Sequence, residues 1–216
     1  LDLSSAKDAV AVVDVARVWG NDYLYEYARR KNIRIVEIDA SYSFSGNDYL
    51  SLSLLNYKNG DRNPYVWMSF QNVIKMANIA ADDLSELFPE DSKRIEDNLI
   101  NFSQEIKEIE NGYLEKTLDL SSLSVITLTE NLDYLFNDLN IFFNYVDSNE
   151  LTVEKISEVM KRNNSKIFVS DRWIKKEIIN EIEKKGGKFL VWDNFNIPRE
   201  LNEKMDPDGY IKGMTL

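Results

Sequence analysis

The longest regular pattern of apolar and polar positions lies near the middle of the chain. Ile95, Leu99, Phe102, Ile106, Ile109 and Tyr113 recur at alternating spacings of four and three. That spacing draws one apolar stripe along a helix of roughly 25–28 residues, about 40 Å long at about 1.5 Å rise per residue. Pro89 fits its first turn, and Glu90 and Asp91 sit favourably against the positive end of its dipole. Such a helix is longer than most compact domains need, so it reads as a rigid strut between two lobes. Its other face carries Glu105, Lys107, Glu108 and Lys116, a solvated surface. Immediately upstream, Ser69 is placed as the N-cap of a helix whose apolar face is Val73, Met76, Ala77, Ala80, Leu84 and Leu87.

On both sides of this stretch, short apolar runs of strand length alternate with helical patterns. Leu1 to Asp8 reads as the tail of a helix or a leading loop. Val10–Ala16 and Ile33–Ile38 are strands, separated by a helix that Asn21 or Asp22 can cap, which is a βαβ unit and implies a parallel sheet. Ser41–Arg62 is polar, with an alternating Leu50–Leu54 and a following Asn59-Gly60 that predict a hairpin after a loop. Beyond the strut come strands at Ser124–Leu128, Ile141–Val146, Lys166–Val169 and Lys188–Trp192. Helices at Glu130–Leu139, after Thr152, and at Ile174–Lys185 lie between them, the last stopped by Gly186-Gly187. The fold class is therefore α/β: two lobes with parallel sheets, joined by one long helix. The divisions are an N-terminal lobe over 1–88, a linking helix over 89–118 and a C-terminal lobe over 119–216.

Composition removes several functions. The chain of 216 residues has a formal net charge of −11, which argues against a nucleic-acid partner. It has no cysteine, hence no disulfide, thiolate ligand or thiol nucleophile, and no histidine, the commonest general base and metal ligand. No apolar run approaches the roughly 18–20 residues needed to span a membrane, and no signal peptide is visible. There is no GxSxG elbow, P-loop or GxGxxG. Only Asp193 and Glu130 stand at strand ends as candidate paired carboxylates, so an enzyme is not expected.

In open α/β sheets, ligands bind beyond the carboxyl ends of the strands. Those ends carry Thr129-Glu130, Ser170-Asp171-Arg172 and Asp193-Asn194, with Tyr65 before the first central helix. Two readings compete. Together these residues line a binding cleft between the lobes; singly, Thr129, Ser170 and Asp193 each cap the helix that follows.

Asn63-Pro64-Tyr65-Val66-Trp67-Met68-Ser69, followed by a helix and then a long helix from Pro89-Glu90, resembles the zinc/manganese-binding substrate-binding proteins of ABC importers, the TroA-like cluster A-I that includes adhesin lipoproteins. In that family the motif reads N-P-H-V-W-L-S/D-P. The resemblance continues through Val125–Glu130, where the family has V-V-T-Y-H-D, through Ile167–Ser170 (I-F-x-E) and through Lys188–Asp193 (K-V-L-x-L-D). It covers nearly the whole chain in order. Relative to the family pattern the first lobe is incomplete at its start and the chain stops within the final helix, which implies either a trimmed piece or a reduced first lobe.

The resemblance implies a binding component partnered with an ABC permease, at the periplasmic or extracellular surface, with Zn or Mn as the family's ligand. Carried over residue by residue, the family's metal-ligand positions are Tyr65, Thr129, Ser170 and Asp193, of which only Asp193 keeps the ligand type. Hydroxyls are poor replacements for imidazole at a zinc site. The expectation is a solute-binding module with a degenerate metal site, its cleft collapsed or given over to another small polar ligand. Two alternatives stand beside it. One is a genuine metal carrier with an all-oxygen site recruiting Glu130 and Asp171 alongside Asp193; the other is a structural or adhesive surface protein on the same scaffold.

Overall fold

The apolar run that opens the chain forms strand β1 (Ala11–Asp14), which pairs in parallel with β2 (Val36–Asp39), from Ala11 opposite Val36 to Asp14 opposite Asp39. The computed structural model describes residues 4–20, 22–44, 51–118 and 124–196. The chain divides into two units, Leu1–Tyr113 and Leu114–Leu216. The expected final helix, the loop at 45–50 and Asn21 as a cap lie outside the described residues.

In the first unit, α1 (Leu24–Lys31) connects the two strands and buries Ala28 against Ala6 and Ile35. Asp22 secures its start from one position outside the cap, Oδ1 accepting from the Leu24 amide at 3.0 Å. Arg29, Arg30 and Lys31 occupy its last turn, where they meet the negative end of the dipole. The expected hairpin is reduced to a turn. Gly60 takes φ 92°, and one antiparallel bridge joins Asn56 to Arg62. Residues just upstream are held by a side chain instead. Asn72, fully buried, accepts from the Ser53 amide and donates to the Ser53 carbonyl, both at 2.9 Å, so its amide group stands in for a neighbouring strand.

Helix α2 (Phe70–Leu87) starts as expected: Ser69 Oγ accepts from the Asn72 amide at 3.1 Å. Its buried residues, however, are Asn72, Ile79, Ala81 and Asp83, while the predicted face is only half-buried. A 3-10 turn at Pro89–Asp91 leads into α3 (Ser92–Leu118), the long helix. Its stripe also differs. Phe102 and Ile109 are 39% and 48% exposed, and the covered line runs instead through Ile95, Leu99, Ser103, Ile106, Glu110 and Tyr113. A straight helix at about 3.6 residues per turn carries its buried line one residue past a strict seven-residue repeat. Glu110 is thereby buried, and it accepts from Gln71 Nε2 through both carboxylate oxygens, at 3.0 and 2.9 Å.

The second unit contains a four-stranded parallel sheet in the order β4-β3-β5-β6, comprising β3 (Ser124–Thr127), β4 (Phe142–Tyr145), β5 (Ile167–Ser170) and β6 (Lys188–Val191). Central strands β3 and β5 are buried almost throughout, and Ile126 and Phe168, both with no exposed surface, are register partners. Fully buried parallel strands require continuous apolar runs, and both have them. Helices α4 (Asp133–Asp138), α5 (Ile156–Asn163) and α6 (Lys176–Lys184) connect the strands. Ile156, Val159, Met160, Ile178 and Ile182 pack with Ile126 and Phe168 in one core. Thr152 makes no side-chain cap; a 3-10 turn at Val153–Lys155 precedes α5 instead.

All three helices end in the same way. The residues at 140, 164 and 186 adopt φ of 53°, 46° and 75°. In each case the next amide bonds back to a carbonyl five residues earlier: Ile141 to Phe136 at 2.9 Å, Ser165 to Met160 at 3.2 Å and Gly187 to Ile182 at 2.9 Å. These are Schellman terminations, filled by Asn, Asn and Gly. Gly187 meets a second demand, since a Cβ there would lie 2.8 Å from the Lys166 carbonyl oxygen and 2.5 Å from Met160 Cε.

Two glycine substitutions separate these demands. Gly186→Ala is expected to cost about 1–2 kcal/mol for the left-handed backbone, and Gly186→Asn to recover much of that loss. Gly187→Ala costs about 1–3 kcal/mol by overpacking, and Gly187→Asn recovers nothing. Urea unfolding followed by circular dichroism measures both.

Candidate functional site

Register brings the carboxyl ends of the second unit's strands level: Thr127 lies opposite Tyr145 and Val169, and Ser170 opposite Val191. The residues singled out from the sequence follow directly. Thr129 and Ser170 are buried, with 8% and 2% of their surface exposed, and Asp193 is half-buried. Neither Thr129 nor Ser170 caps the helix that follows it. Each of the three bends its own loop by accepting an amide two residues on: Thr129 Oγ1 from Asn131 at 3.1 Å, Ser170 Oγ from Arg172 at 3.4 Å and Asp193 Oδ1 from Phe195 at 2.8 Å. Such turns are what small hydroxyl and carboxylate side chains do when the backbone leaves a strand. They also explain why α4 begins at Asp133 rather than at Glu130. Glu130 itself is half-buried.

Asp171, buried, is engaged through both carboxylate oxygens. Its Oδ2 accepts from Asn131 Nδ2 at 2.6 Å and Asn194 Nδ2 at 2.7 Å, and Oδ1 from Arg172 Nε at 3.3 Å. One buried carboxylate thus ties together the loops after β3, β5 and β6. Asn194 stands among the strand-end residues already named from the sequence; Asn131 is a site residue that the sequence reading did not single out.

Within this unit, at the ends of β3, β4 and β5, lies a cavity of about 850 Å³. Thr129, Ser170 and Asp171 line it; Asp193 and Glu130 do not. The hydroxyls of Thr129 and Ser170 act as acceptors, and among the described residues neither donates to a protein group. Tyr145 and Trp173 add aromatic surface to the lining, and the Tyr145 phenol is pushed up by burial and by nearby Asp147. Tyr145 and Asp147 lie at the end of the Ile141–Val146 strand and Trp173 one residue beyond Ser170-Asp171-Arg172, outside the strand ends that residue type alone marks.

In the first unit Tyr65 is buried and packs edge-on against Trp19, with Trp67 completing a triad of rings whose centroids are 5.3 Å apart. Its amide donates to Asn63 Oδ1 at 3.0 Å. This unit's strands end in two acids that sequence reasoning passed over, although each closes an apolar run (V-V-D and E-I-D). Asp39 is satisfied, accepting from the Arg17 and Ser41 amides at 3.0 and 2.9 Å. Arg17 also stacks on Tyr42, 3.5 Å from the ring centroid. Asp14 is buried, and among the described residues neither of its oxygens has a hydrogen-bond partner. Burial first, and then the neighbouring Glu37, push its pKa up from 3.8 to about 6; the nearby Ala16 amide, outside hydrogen-bond geometry, offsets only part. Glu37 is raised as well, by burial and by Asp39. Among the described residues no group of three or more acidic side chains is arranged to hold a metal ion.

The family model described as zinc-uptake complex component A, periplasmic, matches residues 3–215. The chain belongs to that family. The crystal structure of ZnuA superimposes with a TM-score of 0.69 at 19% identity, over 89% of this chain and 74% of that one. The Zn(II)-bound ZnuA-like domain of Streptococcus pneumoniae AdcA gives 0.66 at 18% identity, over 97% and 77%. A mutant of the laminin-binding adhesin Lmb from Streptococcus agalactiae gives 0.62 at 18%, over 89% and 74%. No curated protein matches. At these identities the likeness establishes the fold, and the α/β class with parallel sheets and one long helix is borne out. The family is one of solute-binding components of ABC importers. Among the described residues no helix is long and apolar enough to cross a membrane.

Asp14 makes stability depend on pH with a definite sign. The folded state holds this proton more tightly than the unfolded chain, so the contribution is fully present below about pH 4 and is lost as pH rises through about 6. Asp14→Asn is therefore expected to stabilise the protein by about 1–3 kcal/mol at pH 7.5 and by little near pH 4. Denaturant titrations of both proteins at the two pH values check this.

Proposed function

We propose that the chain is a solute-binding component of an ABC importer in which the family's transition-metal site is degenerate. The observation that carries this reading is the condition of the family's ligand positions. Thr129 and Ser170 present neutral hydroxyls, each already committed to a local turn, where zinc favours imidazole or thiolate. Tyr65 is enclosed by Trp19 and Trp67. Asp193 alone keeps a ligand type, and it turns an oxygen onto the Phe195 amide.

An all-oxygen site built from Asp193, Glu130 and Asp171 is the competing reading. Its weakness is Asp171, whose oxygens are taken by two amides and a guanidinium. Hard cations such as Mn²⁺ or Ca²⁺ need several free oxygens at once. In the favoured reading the protein works by binding rather than by chemical transformation, its partner is an ABC permease, and it acts at the periplasmic or outer surface.

Metal content and thermal stability test this together. Protein purified without chelator is expected to carry far less than one equivalent of metal. Added Zn²⁺ or Mn²⁺ should move its unfolding midpoint by no more than about 1 °C, because only native-state binding raises it. One bound metal per chain, or a shift of several degrees that Asp193→Ala removes, defeats the proposal.

A further inference from the structure

The cavity beyond β3, β4 and β5 has a volume, about 850 Å³, that suits a small organic solute and far exceeds what a bare ion fills. It lies wholly within the second unit, beside the point where the chain leaves β3 to one side for β4 and later returns on the other side as β5. This is the switch point at which open parallel sheets bind ligands.

Its unmet hydrogen-bonding capacity is specific. Ser170 and Thr129, both more than nine-tenths buried, accept backbone amides and keep their hydroxyl protons free to donate into the cavity. Among the described residues Arg172 engages Asp171 through Nε and commits neither terminal nitrogen. Two hydroxyl donors and the fork of a guanidinium match a carboxylate. The lining also carries Asp147 and Glu177, and in all it holds four acids against two basic residues. A simple anion would be repelled by that excess. A simple cation would leave the donors unmet, and a neutral sugar would leave charges of both signs without partners. Trp173 adds an apolar face to the lining.

We propose that this cavity binds a zwitterionic solute of the α-amino acid class. Its carboxylate meets Ser170, Thr129 and Arg172, its ammonium meets Asp147 or Glu177, and its side chain lies towards Trp173. The proposal rests on the solute-binding reading above and gives that reading a ligand class.

The test uses the full chain and an equimolar mixture of the twenty common L-amino acids, followed by each one singly, with glucose and maltose as neutral probes and Zn²⁺ as a separate arm. Calorimetry and thermal unfolding are the readouts. One or a few amino acids are expected to bind and raise the midpoint, and Arg172→Gln, at an exposed side chain that does not endanger folding, is expected to weaken that binding about tenfold or more. Glu177→Gln should weaken it in the same direction. Absence of amino-acid binding, binding of the sugars instead, or amino-acid binding unchanged in Arg172→Gln overturns the proposal. If neither amino acid nor Zn²⁺ binds, this inference fails while the degenerate-metal reading stands. If Zn²⁺ binds stoichiometrically through Asp193, that reading fails whatever the amino acids do.

Discussion

The second unit depends on the two-sided pairing of β3, and that pairing depends on where the helices stop. A parallel strand can pair along both edges only if each neighbour starts at the right height. Asn140 and Asn164 arrange this for β4 and β5, and Gly186 does the same for β6 beside β5, each turning the chain out of its helix with a left-handed residue two or three positions before the next strand. Level starts make level ends, so the loops after β3, β5 and β6 are close enough for one carboxylate, Asp171, to hold all three. The cavity is a by-product of the same arrangement, because loops that leave a level sheet edge in different directions enclose space between them.

In the first unit the balance is between burial and charge. The register places Asp14 beside Asp39 on the last rung of a two-stranded sheet. One of the two can be satisfied by amides and an arginine, and it is Asp39. Asp14 is left with burial and like-charged neighbours, both of which favour its protonated form. Tyr65, by contrast, is buried with its ring packed against Trp19 and Trp67.

Much of the architecture was legible in the sequence because it rests on local signals. Continuous apolar runs marked the buried strands, Ser69 marked the start of α2, and the Pro89 turn marked the long helix. What was not legible rests on partners far along the chain. The stripe of α3 places Phe102 inside by its spacing, yet the helix turns Ser103 and Glu110 inward, and Glu110 is tolerable only because Gln71 is there to meet it. Asn140 and Asn164 were overlooked as helix stops because asparagine in the left-handed region is indistinguishable by residue type from asparagine on a surface. At the candidate site, residue types showed where chain reversals occur, but whether a hydroxyl caps a helix, bends a loop or faces a cavity was decided only by geometry.

The anchoring of residues 51–55 through Asn72 has a consequence for how such a chain can vary. A strand joined by a ladder must keep its register, so adding or removing one residue upstream turns every side chain to the wrong face. Residues 51–55 are instead fastened mainly by two side chains of one helix, Asn72 at both polar groups of the Ser53 backbone and Lys75 at the Ser51 carbonyl. Held by side chains of α2 rather than by a ladder, residues 51–55 owe their place to that helix, so a change of one residue in their own pattern carries no register penalty along a sheet.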